Sequence, residues 1–107
     1  MLTDWKTTTD GFGEDLLDFT VIPFLSEVNS VGHEQNNLAA LLFGGKALGF
    51  RHGTFTNLSP TRPLNDLWLT IAQAFGLSAS EAPLNAEKFV VGGNLTGPIA
   101  GLWVKPA

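Results

Sequence analysis

Two apolar runs dominate the first half of the chain, Phe19-Thr-Val-Ile-Pro-Phe-Leu25 and Leu38-Ala-Ala-Leu-Leu-Phe43, with the polar, Gly-interrupted stretch from Ser26 to Asn37 between them. The β-branched and aromatic residues of the first run predict a strand. Pro23 within it predicts a bulge or an edge position, because proline brings no N–H to a ladder. Neither run alternates apolar with polar positions. A continuous apolar run is the pattern of a strand buried on both faces, which points to a largely parallel sheet in an α/β fold.

The second half carries the most regular periodicity. Thr61-Arg-Pro-Leu64 has the form of a helix start, with Thr61 as the N-cap and Pro63 in the first turn, where a missing N–H costs nothing. Leu64, Leu67, Trp68, Ile71, Ala72 and Phe75 then recur on one helical face, and Gly76 is placed to end the helix. This helix is expected to cover a sheet, with Asn65, Asp66, Thr70 and Gln73 on its wet side. Elsewhere the pattern is weaker. Leu2 and Trp5 fit one short helical turn, Gly49 to Phe55 reads as turns with a short strand or hairpin, Phe89-Val-Val91 as a brief strand, and Leu95, Ile99, Leu102 and Trp103 as anchors of an irregular tail.

These elements do not complete the architecture they imply. A parallel sheet needs crossovers of a dozen or more residues and helices on both faces. The stretch between the two runs is barely that long, and is too polar and Gly-broken for a covering helix. The expectation is therefore that residues 1–107 form a single domain that is the C-terminal fragment of a larger α/β domain. The missing cover would come from an absent N-terminal part of the fold, or from self-association through an exposed sheet face.

Composition narrows the classes of function. At 107 residues, 44% hydrophobic and 15% charged, the chain has the makings of one globular domain and not of a disordered segment. Its net charge of −4 and its six scattered Lys and Arg residues provide no basic stripe for a phosphate backbone, so no nucleic-acid partner is expected. No apolar run approaches the roughly 20 residues of a membrane helix, so no membrane partner is expected either. Cysteine is absent, which excludes disulfides and thiolate metal ligands. The first ten residues lack the charged and apolar regions of a secretory signal, so the sequence carries no address of its own.

Candidate chemistry concentrates in the polar stretch. His33 sits at the end of an expected strand, the edge where open α/β sheets place their sites. Neutral imidazole is the commonest metal ligand, and Glu27, Glu34 and Asn29 offer oxygen ligands nearby. His33 is the one metal-ligand candidate carried forward. His52, beside Arg51 in a Gly-flanked turn, reads more readily as a structural hydrogen-bonding group. Gly44-Gly-Lys-Ala-Leu-Gly49 lacks the Ser or Thr that a phosphate loop carries after its lysine, and reads as a turn. Ser26 or Ser30, His33 and Asp18 include the residue types of a catalytic triad, but no nucleophile elbow accompanies them. No catalytic residue is assigned.

The order of short motifs resembles one family over nearly the whole chain. Asp10-Gly-Phe-Gly-Glu-Asp-Leu-Leu-Asp18 precedes the first run and Ser26-Glu27 follows it. Then come His33, Asn37-Leu38, an apolar run ending in Gly-Gly, Gly49-Phe-Arg-His52, Pro63-Leu-Asn-Asp-Leu67, and Thr96-Gly-Pro-Ile-Ala-Gly-Leu102. This series resembles the C-terminal end of bacterial DUF1552 proteins, which are similar to DUF1501 proteins and, more distantly, to the alkaline phosphatase and sulfatase superfamily. The resemblance implies a partial three-layer sandwich, the C-terminal part of an alkaline-phosphatase-like fold, in a longer and often exported bacterial protein. It also implies a metal-dependent, hydrolase-like parent in which His33 is one ligand of a divalent metal such as zinc. Gln35 stands where the family carries a second histidine, and the superfamily's nucleophile and other ligands belong to upstream segments. The resemblance thus implies a fragment that is not catalytic alone. The alternative expectation is a small self-associating binding or assembly module.

Overall fold

The computed structural model describes residues 1–11, 13–26, 39–58, 64–78 and 97–107. The chain divides into two compact units, Met1–Lys46 and Ala47–Ala107. The first unit opens with α1, Leu2–Thr7. Thr8 leaves the helix in an extended conformation (φ −91°, ψ 123°), while the Thr7 hydroxyl reaches back to the carbonyls of Thr3 (3.3 Å) and Asp4 (3.2 Å). A helix this short is not stable by itself. It packs against a 3₁₀ turn over Leu16–Phe19, which in turn touches the second strand.

The sheet has two strands, β1 (Val21–Leu25) and β2 (Ala40–Gly44), and they run antiparallel. Val21 pairs with Gly44, Ile22 with Phe43, Pro23 with Leu42, Phe24 with Leu41 and Leu25 with Ala40. This overturns the expected parallel sheet, and with it the three-layer α/β sandwich and the alkaline-phosphatase-like architecture. The reason is local. Antiparallel neighbours need no crossover, so the short polar stretch that could not supply a covering helix suffices to bring the chain back alongside itself.

Pro23 shows how the ribbon is built. The Ser26 N–H donates to the Ala39 carbonyl at 3.4 Å, which fixes the phase of the ladder. Alternation then makes Phe24–Leu41 and Ile22–Phe43 the hydrogen-bonded pairs and leaves Pro23–Leu42 a non-bonded pair. The missing donor of Pro23 therefore falls on the outer edge of β1, and no bond between the strands is lost. At the far end of the ribbon, the Gly45 N–H donates to the Leu17 carbonyl at 2.9 Å, tying the end of β2 to the 3₁₀ turn.

In the second unit the long element is α2, Asn65–Ala74. Its first residue follows Leu64, which makes no side-chain cap; the expected N-cap Thr61, with Pro63, lies outside the described residues. Its end matches expectation. Gly76 takes a positive φ of 86°, its N–H donates to Gln73 at 3.0 Å and the Leu77 N–H to Ala72 at 3.0 Å. That pair of bonds is the Schellman arrangement, which satisfies the last carbonyls of the helix and favours glycine at its left-handed residue.

The buried side of α2 differs from expectation. Asn65, Asp66 and Thr70 are buried along with Leu67 and Leu69, whereas Trp68 and Ile71 are half-buried and Phe75 is exposed. Asp66 and Thr70 serve the backbone of the segment that lies over them. The Gly97 N–H donates to Asp66 Oδ1 at 3.3 Å and the Ile99 N–H to Thr70 Oγ1 at 2.8 Å. These hydrogen bonds offset part of the cost of burying the two polar side chains. Phe50, Leu67, Leu69 and Ile99 are the buried apolar side chains among the described residues, and all four belong to this unit. Its other join is a short antiparallel contact of Phe50 with Trp103. It is framed by bonds from Arg51 N–H to Leu102 (3.1 Å), Val104 N–H to Gly49 (3.0 Å) and the Trp103 indole Nε1–H to Leu48 (2.6 Å). The expected strand at Phe89–Val91 and the anchor Leu95 lie outside the described residues.

Candidate functional site

The polar stretch that carries the candidate ligands leaves the sheet at Ser26 and rejoins it at Ala39, and these two residues are hydrogen-bonded neighbours. His33 lies outside the described residues, as do Glu27, Asn29, Ser30, Glu34 and Gln35. What the structure does fix is the place of the stems. They stand at the end of an antiparallel ribbon. The rule that sites gather at the carboxyl ends of strands belongs to open α/β sheets, so the positional argument for His33 lapses with the parallel sheet. The family resemblance is the remaining ground for a ligand role.

The described polar residues do not converge on a centre. Asp10 closes a turn on itself: its Oδ1 accepts the Glu14 N–H at 3.0 Å, and its own N–H donates to the Glu14 carbonyl at 2.8 Å. Thr9 and Asp15 pair across this turn, and side-chain to backbone bonding is what Asp10 contributes to it. Asp18 is half-buried within the 3₁₀ turn. Arg51 and His52 are both exposed, and Arg51 is held through its backbone N–H alone among the bonds described above. Lys46 to Gly49 form a turn, in keeping with the reading of that glycine-rich stretch. Among the described residues, no group of three or more His, Asp or Glu side chains is gathered as a metal centre would require. Among the same residues, no helix is long and apolar enough to cross a membrane.

The exposed sheet face, to which the sequence assigns no residues, is apolar. Directly paired residues in an antiparallel ladder project to the same side, so Ile22, Phe24, Leu41 and Phe43 share one face of the ribbon. Phe24 is 68% exposed, Leu41 56% and Phe43 38%. The opposite face, with Val21, Pro23, Leu25 and Leu42, is half-buried. No apolar side chain among the described residues of Met1–Lys46 is fully buried. An isolated two-stranded ribbon is at best marginally stable, and gains independence when its apolar face is covered or further strands are added.

Compared with protein-family models, curated proteins and solved structures, the chain matches none.

Proposed function

We propose that this chain is a DUF1552-like C-terminal portion without catalytic competence of its own, and that its ribbon is a docking element completed by another polypeptide surface. The observation that carries the docking half is the uncovered face of Ile22, Phe24, Leu41 and Phe43, in a unit whose described residues include no fully buried apolar side chain. Burying the exposed remainder of Phe24 and Leu41 would contribute on the order of 1–2 kcal/mol each. The order and spacing of the short motifs support the family half of the reading. In a metal-dependent, hydrolase-like parent, His33 is the one metal ligand this chain would contribute. A single imidazole falls short of the three or four protein ligands that a zinc site needs.

Calorimetric titration of the chain with zinc tests the catalytic half. Heat no greater than buffer dilution, unchanged by His33→Ala, is expected. Stoichiometric binding that His33→Ala abolishes would overturn it, because the chain would then hold a site of its own.

A further inference from the structure

The two long edges of the ribbon differ in what they offer to a further strand. Alternation turns the N–H and C=O groups of Val21, Pro23 and Leu25 outward on β1, and those of Ala40, Leu42 and Gly44 outward on β2. Pro23 removes the central donor of the β1 edge, a recognised way of blocking strand addition. The β2 edge keeps its central donor at Leu42. Among the described residues no hydrogen bond engages the outward groups of Ala40 or Leu42. Neither strand carries a charged side chain, so a copy of the same edge meets no like charge as it approaches, although the whole chain carries −4.

We propose that two copies of the chain pair antiparallel through β2, with Leu42 opposite the second copy's Leu42 on a two-fold axis. The sheet then runs β1-β2-β2-β1. The register is self-complementary, as a two-fold interface demands. Ala40 meets the second copy's Gly44, and on the exposed face Leu41 meets the second copy's Phe43, an aliphatic–aromatic pair of the kind that stabilises sheets. Four strands replace two, which supplies the width that an isolated ribbon lacks. Assembly stops at the dimer, because both outer edges of the enlarged sheet are β1 edges carrying Pro23. The inference goes beyond the family reading and needs only the ribbon.

Sedimentation velocity on the full chain across a concentration series, with Leu42→Pro beside the wild type, is the primary test. Leu42 stands in a non-bonded pair, so proline there spares the bonds to β1 and removes the donor at the proposed axis. The wild type is expected to move from monomer to dimer with concentration, and Leu42→Pro to remain monomeric with its tryptophan near-ultraviolet signal retained. Disulfide trapping gives an answer that does not depend on the proline variant folding. In this cysteine-free chain, Leu42→Cys puts two thiol-bearing residues about 5.5 Å apart at Cα, within disulfide reach. Leu25→Cys puts them three strand spacings apart and four residues out of line along the strand, about 20 Å in all, beyond it. Covalent dimer from Leu42→Cys and none from Leu25→Cys is expected. A dimer that withstands Leu42→Pro, equal trapping at both positions, or a monomer at every concentration would overturn the pairing. A monomer whose ribbon amides exchange freely would do so while leaving the proposed function standing, since the docking partner would then be a different chain.

Discussion

Thr70 and Ile99 are 29 residues apart in sequence and are joined by a buried hydrogen bond of 2.8 Å, in which the Ile99 N–H donates to the threonine hydroxyl. The same hydroxyl donates to the Asp66 carbonyl at 2.6 Å, so both of its capacities are used. Thr70→Val keeps the shape and leaves the Ile99 N–H without a partner. It should cost about 1–3 kcal/mol, read as a lower midpoint in urea denaturation followed by tryptophan fluorescence. Thr70→Ser keeps the hydroxyl and should cost about 1 kcal/mol for the lost methyl. Asp66→Ala combined with Thr70→Val should cost less than the sum of the two single changes, because both residues hold the same segment.

Gly49 is the second structural constraint in this unit. Its φ is +96°, and a Cβ built on it would collide with the Val104 carbonyl oxygen. Gly49→Ala should therefore destabilise by at least about 1–2 kcal/mol from the backbone conformation alone, with further loss from the separation of the 48–51 and 102–104 segments. Gly11→Ala, where nothing lies within 4 Å of the added carbon, is the matched control and should be near neutral in the same melt.

The exposed ribbon face should bind an apolar fluorescent dye at concentrations where the chain is monomeric. Replacing Phe24 and Leu41 by serine removes its two most exposed side chains and should abolish most of that signal. The Gly49→Ala variant provides a comparison in which dye binding rises through partial unfolding, so a change in the serine variant that tracks the melt would assign the dye to unfolded chain instead.

How much of this was legible in the sequence follows from what each pattern can encode. The two apolar runs became the two strands, and Gly76 ended α2 where the periodicity stopped, because local backbone preference and turn chemistry act over a few residues. Strand direction was misread. A continuous apolar run looks the same whether both faces are buried or one is left uncovered, and the parallel reading assumed the former. The shortness of the Ser26–Asn37 stretch was the signal against a crossover. The wet side assigned to α2 failed for a different reason. Asn65, Asp66 and Thr70 are polar, and polarity usually means water; here Asp66 and Thr70 are covered by backbone donors at Gly97 and Ile99. No local pattern announces partners that far along the chain.

The central claim is that the β1–β2 ribbon depends on a surface outside the chain, while the α2 unit holds its own core. Hydrogen exchange resolved by residue on the monomeric chain tests it most directly. The account predicts that amides of Ile22, Phe24, Leu41 and Phe43, bonded within the ladder, exchange far faster than those of Leu69 and Thr70 in α2, and become protected on association. A compact monomer in which the ribbon amides are protected as strongly as those of α2 would contradict it.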